Sequence, residues 1–209
     1  MRGRRQGLAA VVVAVATLAA GYGEAVQATQ AGASAPQAER PTLEGGYSLT
    51  FTNSKVGEWD DIYRGKEGSL LVFEDVYRGK SFKWYATEDL NTVKSVGRKT
   101  EFEHDPHNGV LNFPLSVGKK WTHYYTNTVG RNVAQRTAWA EVKAYEQVTV
   151  PAGTFWAYRI ERVNQRAGVP QPAYETYWYS PEVKFFVKYF SREFGWEYEL
   201  VKYGKEVAP

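Results

Sequence analysis

The sequence predicts an all-β fold, an antiparallel meander curved into a barrel, half-barrel or sandwich, and three observations predict it. From Gly45 onward the chain is dominated by Tyr, Trp, Phe, Val and Thr, residues that suit a pleated, half-buried surface. Apolar and polar residues alternate there with period two, in short runs separated by turn residues. The links between runs are short, which favours antiparallel neighbours because parallel strands need long crossovers.

The elements follow in order. Residues 1–28 read as a secretory signal peptide: Arg2, Arg4 and Arg5 form a charged start, Leu8 to Ala20 an uncharged apolar run, and Val26-Gln27-Ala28 a small-residue exit. The run is shorter than the roughly 20 residues of a spanning helix. No second long apolar run follows, so no membrane span is expected in the mature chain. Residues 29–44, rich in Ala, Gln, Pro and Ser, have too little apolar surface to order themselves and are expected to be a flexible tether. Residues 45–205 are expected to be a single β domain holding all seven Trp and every Tyr except Tyr22.

Within this domain Phe82 and Trp84 flank Lys83. Trp121, His123 and Tyr125 alternate with Thr122 and Tyr124, Tyr174, Thr176 and Trp178 with Glu175, and Trp196, Tyr198 and Leu200 with Glu197 and Glu199. Turns are expected at Arg64-Gly65, Arg78-Gly79, Asn108-Gly109, Val129-Gly130-Arg131, Pro151-Ala152-Gly153 and Tyr203-Gly204. About ten to twelve short strands result. One repeat is visible: Asp61-Ile62-Tyr63-Arg64-Gly65-Lys66 returns as Asp75-Val76-Tyr77-Arg78-Gly79-Lys80. It reads as two strand ends closing on similar turns; the alternative is a paired basic rim that binds an anion.

Composition excludes several function classes. Without cysteine there is no disulfide scaffold, no thiol nucleophile and no lipidated N-terminal Cys. Cleavage after Ala28 takes away Arg2, Arg4, Arg5 and Glu24, leaving 23 basic and 22 acidic residues of the original 26 and 23. Such a balanced chain predicts no nucleic-acid partner. Nucleotide-binding glycine loops and a G-x-S-x-G elbow are absent. Glu103-His104-Asp105-Pro106-His107 offers metal-ligand residue types, but Pro106 and the following Asn108-Gly109 read as a solvated hairpin loop, so no metal site is expected. His123, in phase with Trp121 and Tyr125, reads as a packed or hydrogen-bonded side chain. Adjacent acids such as Asp60-Asp61 and Glu74-Asp75 point to opposite faces of a strand, so neither pair shares a substrate. No catalytic residue and no cofactor are expected.

The aromatics are the remaining signal, because Tyr and Trp join an apolar body to a polar tip and recur in ligand grooves. Trp84, Trp121, Tyr125, Trp178 and Trp196 are the candidate ligand-binding residues.

Three segments carry a resemblance: Phe113-Pro114-Leu115-Ser116-Val117-Gly118-Lys119-Lys120-Trp121; Val148-Thr149-Val150-Pro151-Ala152-Gly153-Thr154-Phe155, running on to Tyr158-Arg159-Ile160; and Tyr177-Trp178-Tyr179-Ser180-Pro181-Glu182-Val183, followed by Val187-Lys188-Tyr189. In order and spacing they are similar to motifs of a domain-of-unknown-function family of uncharacterised bacterial envelope β-proteins, found as periplasmic proteins and lipoproteins. Lys184 stands where that group commonly has glycine. The resemblance implies a curved antiparallel β fold in the envelope and supplies no catalytic residue or substrate.

The expectation is therefore a non-enzymatic periplasmic or secreted protein that binds an unknown protein partner or a small apolar ligand in its curved sheet. The alternatives are a carbohydrate-acting hydrolase of the cell envelope and a structural subunit of an envelope complex.

Overall fold

The computed structural model describes residues 36–97, 101–193 and 195–205. The expected signal peptide and the first part of the expected tether lie outside the described residues. Twelve strands follow in order: β1 (Tyr47–Asn53), β2 (Gly57–Glu67), β3 (Leu70–Tyr77), β4 (Lys80–Ala86), β5 (Thr92–Val96), β6 (Phe102–Asp105), β7 (Lys120–Val129), β8 (Asn132–Val150), β9 (Gly153–Arg166), β10 (Ala173–Ser180), β11 (Phe185–Ser191) and β12 (Trp196–Lys205). Each pairs antiparallel with its sequence neighbours, and β1 pairs with β12, so the sheet is a closed barrel. Closure leaves no strand edge exposed, which removes the usual route to edge-to-edge association.

Alternation decides what faces the lumen. Leu49 and Phe51 of β1, Phe73 of β3, Ile160 of β9 and Leu200 of β12 point inward and are all but inaccessible. The phases between them carry charges outside, among them the pairs Arg64–Glu74 at 2.9 Å, Lys143–Glu141 at 2.6 Å and Lys188–Glu199 at 2.7 Å. The outer wall mixes these charges with exposed rings, among them Tyr124, Trp139, Trp156, Tyr174 and Phe190. No helix among the described residues is long and apolar enough to cross a membrane.

Two turn expectations are corrected. Arg64-Gly65 does not close a hairpin: Gly65 lies inside β2, at a register shift opposite β3, with φ +110°. A bulge with a glycine beyond the reach of L-residues bends the strand without ending it. Tyr203-Gly204 likewise lies inside β12, paired with Leu49 and Ser48 of β1. The repeat therefore does not end two strands alike: only its second copy makes a turn, at Arg78-Gly79 between β3 and β4. No paired basic rim forms, since Arg64 lies against Glu74 on the outer wall while Arg78 rests on the Tyr77 ring.

One end of the barrel is filled by chain outside the strands. Leu90, Val110, Leu111 and Leu115 are buried in the same apolar cluster as Val142, Val150 and Ile160. Residues 36–44, read from sequence as the end of the tether, are held there too. Ala38 exchanges backbone hydrogen bonds with Leu115 at 2.9 and 2.8 Å, and Lys184 donates to the Thr42 carbonyl at 3.0 Å. Composition could not show this, because the ordering entropy is offset by backbone bonds to a distant loop and by burial of Ala38. Lys184 itself sits at φ +59°, a left-handed position in the turn between β10 and β11.

Candidate functional site

The barrel holds a cavity of about 220 Å³ that is partly open to solvent. Its walls are rings: Phe51 and Trp59 from β1 and β2, Phe82 and Trp84 from β4, Phe102 from β6, Tyr177 from β10 and Tyr198 from β12, over a floor of Leu90, Val110, Phe185 and Phe186. Period-two alternation puts every second residue of these strands into the lumen, so the aromatic phase of each strand meets the others inside. The rings brace one another. Trp84 stacks flat on Phe73, centroids 4.1 Å apart and planes 5° from parallel, while Tyr198 meets Phe51 edge-on at 5.0 Å and stacks against Tyr189 at 5.2 Å. Burial raises the phenol pKa values of Tyr177 and Tyr198 well above the usual range, so both remain neutral donors.

Two carboxylates enter this aromatic wall. Asp61 of β2 and Asp75 of β3 are direct cross-strand partners, and both line the cavity. The Trp84 indole N–H donates to Asp61 Oδ1 at 2.9 Å. These are the equivalent acids of the sequence repeat.

Beside the cavity, six neighbouring strands carry polar side chains on successive inward positions. His104 of β6 faces Asn127 of β7, and Tyr125 faces Arg136 of β8. Ala138 of β8 faces Asn164 of β9, Arg162 faces Glu175 of β10, and Glu175 faces Ser191 of β11. Ala138 and Ala140 are small enough to leave room for the Arg162 side chain, which is 2% exposed. Arg162 Nη1 donates to Glu175, and its Nη2 donates to the Asn108 carbonyl at 2.5 Å. Asn164 Nδ2 donates to the Tyr125 hydroxyl at 3.0 Å. His104 interacts with Asn127 and Ser191 with Tyr189, whereas three buried atoms of this arc have no hydrogen-bond partner: Arg136 Nε, Arg162 Nε and Asn164 Oδ1. Each such atom costs a fold about 1–3 kcal/mol, so their gathering on one wall is an unmet chemical demand.

His104 corrects an expectation. It lies in strand β6 and points inward, not in a solvated loop. Burial, with Arg162 and Arg136 nearby, lowers its pKa from 6.5 to about 4. An imidazole whose folded pKa lies below its unfolded one resists protonation in the native state. Its stability contribution is intact above about pH 6.5 and is lost as pH falls from there toward about 4. Acidification from pH 7 to 4.5 is expected to cost up to about 2–3 kcal/mol through this residue. Urea unfolding at the two pH values should show that loss, and His104→Gln should flatten it.

His107 stacks on His123 at 4.3 Å, and His123 Nε2 shares a hydrogen bond with the His107 carbonyl at 2.8 Å, so His123 is packed and bonded as expected. Gly109 must be glycine here: at φ +65°, a Cβ would lie 2.2 Å from His123 Cδ2. Among the described residues no three His, Cys, Asp or Glu side chains are grouped to hold a metal.

Of the five aromatic candidates, Trp84 lines the cavity and Tyr125 belongs to the polar arc. Trp121 points inward but is spent on packing, its indole N–H donating to the Gly109 carbonyl at 3.0 Å. Trp196 opens β12 opposite Ser191, beyond the cavity lining. Trp178 lies on the outer wall, donating to Glu146 at 2.9 Å with Lys188 over its ring. Asp61, Asp75, Trp59, Tyr198 and the arc around Arg162 are the residues that sequence reasoning missed. One signal could have found Arg162 and Asn164: they stand in phase with buried Tyr158 and Ile160 along β9.

A larger groove of about 780 Å³ is lined by Trp139 and Tyr174 of the outer wall together with the inward Trp121, Ala140, Arg162 and Glu175. Among its charges, Glu141 meets Lys143 at 2.6 Å and Lys120 at 3.7 Å, and Arg162 pairs with Glu175. The ring-walled cavity gathers more aromatic faces and is the stronger candidate site.

These features define a class: a closed, up-and-down antiparallel barrel with rings and buried polar groups in its lumen. No family model matches the chain, and no curated protein matches it. Among solved structures it is similar to the hypothetical lipoprotein YmcC from Escherichia coli (K12), with TM-score 0.53 and 9% identity over 80% of this chain and 86% of that one. A protein from Bacteroides fragilis NCTC 9343 described as exported and YmcC-like in fold matches with TM-score 0.45 and 12% identity, over 80% of this chain and all of that one. At 9% identity the first likeness shows the fold alone.

Proposed function

We propose that this chain is an exported, non-enzymatic binding protein that holds a small molecule in the lumen of its barrel. The observation that carries the reading is the cavity walled by Trp59, Trp84, Phe82 and Tyr198, which offers ring faces to an apolar surface of the ligand. Export is supported by the charge, apolar run and small-residue exit of residues 1–28, and by the lipoprotein and exported descriptions of the structural neighbours. Native mass spectrometry of the protein purified from its own host is expected to show a one-to-one small-molecule adduct. Thr92→Phe, which places a ring in the cavity, should remove it. A wild-type spectrum without adduct, together with no uptake of cyclohexanol by calorimetry, overturns the reading.

A second reading is favoured by one observation, the pairing of Asp61 with Asp75 in an aromatic cavity. Directly opposed residues carry their Cβ atoms about 5 Å apart, and retaining glycosidases hold two carboxyl groups about 5–5.5 Å apart. Turnover of an aryl glycoside that disappears in both Asp61→Asn and Asp75→Asn would establish it; unchanged substrate would dismiss it.

A further inference from the structure

We propose that the polar arc on β6 to β11 is a subsite for a hydroxyl-rich group, of the polyol or saccharide class. This rests on the lumen being the binding site. The unpaired atoms are of mixed kind. Arg162 Nε and Arg136 Nε can only donate, and Asn164 Oδ1 can only accept. A carboxylate or phosphate group would answer the two guanidinium nitrogens and leave the amide oxygen bare. A hydroxyl donates and accepts at once, so several hydroxyls on one ring can answer both kinds together. The demand is built into the interior: Arg162 is 3% exposed and Asn164 7%.

The charge in the arc also favours a neutral partner. Arg162 is already paired with Glu175, and the nearby imidazole of His104 carries no charge at neutral pH. The arc adjoins the ring-walled cavity directly. The Phe102 ring lies 5.1 Å from that of His104, and Arg162 bonds the carbonyl of Asn108, a cavity residue. A sugar or cyclitol has an apolar C–H face for the rings and an edge of hydroxyls for the arc.

Three six-membered-ring probes separate the possibilities: cyclohexanol, myo-inositol and cyclohexanecarboxylate, titrated by calorimetry and by the fluorescence of the lumenal tryptophans. Inositol is expected to bind at least about tenfold more tightly than cyclohexanol, the gain of two or so net hydrogen bonds. Arg136→Met and Asn164→Leu should each remove a severalfold part of that gain and leave cyclohexanol binding unchanged. Arg136→Met keeps the aliphatic stem at a half-buried position, so the test survives if Asn164→Leu does not fold. Cyclohexanol binding with no gain for inositol overturns the subsite and leaves the lumen reading standing. The carboxylate binding most tightly overturns it in favour of an anion site. Failure of all three probes overturns both.

Discussion

Replacing Glu175 with Gln is expected to destabilise the barrel by about 3–5 kcal/mol, because it strands the Arg162 guanidinium in the interior without its counter-charge. The Arg162 side chain is 2% exposed and that of Glu175 11%, so water can screen neither. Burial alone would lower the guanidinium pKa. Glu175 first, then the Tyr177 and Tyr125 hydroxyls, outweigh that and hold it raised. Removing the carboxylate takes away the largest of these supports, yet a guanidinium is too basic to lose its proton at neutral pH, so the charge stays. The double replacement Arg162→Leu with Glu175→Leu removes both charges and is expected to recover most of the loss, since a buried pair and its apolar substitute often come out near even. Urea unfolding of the two single variants and the double variant measures this. A Glu175→Gln protein as stable as the wild type would show that the pair is not closed off from water.

Phe73→Ala is expected to cost about 3–5 kcal/mol, the usual range for deleting a buried aromatic side chain. Phe73 is 0% exposed and touches three other rings: Trp84 at 4.1 Å, Tyr63 at 5.4 Å and Phe185 at 5.9 Å. Its loss also removes the flat support under Trp84, which keeps its bond to Asp61 and a tilted contact with the Phe185 ring. Ligand affinity in the lumen should therefore fall with stability, whereas the more conservative Phe73→Leu should lose less of both. A thermal melt paired with the cyclohexanol titration separates the two effects. An unchanged melting temperature would mean that the ring stack carries no packing energy.

Much of the architecture is legible one strand at a time. The alternation around Trp84, Trp121 and Tyr125 sends each into the barrel, and hairpin turns at Arg78-Gly79, Gly130-Arg131 and Pro151-Ala152 fall between strands as their residue types require. The same reasoning misplaces Gly65 and Gly204, because a glycine at positive φ serves a bulge or a strand kink as well as a turn, and only the partner strand distinguishes them. It misplaces His104, because a short strand beside a proline looks like a loop until β7 pairs with it. Trp178 was a candidate although it faces outward: its neighbours Tyr177 and Tyr179 take the buried phase, and aromatics on both phases hide which side is the core.

What the sequence by itself determined is the antiparallel meander and the ring-rich inner phases, since side-chain period and turn chemistry are local properties. The tertiary structure alone decided that β1 closes on β12, that Asp61 meets Asp75, and that Arg136, Arg162 and Asn164 line one wall, each with a polar atom unanswered. Those facts depend on which strands become neighbours and in what register, and register is a property of pairs that no single strand carries.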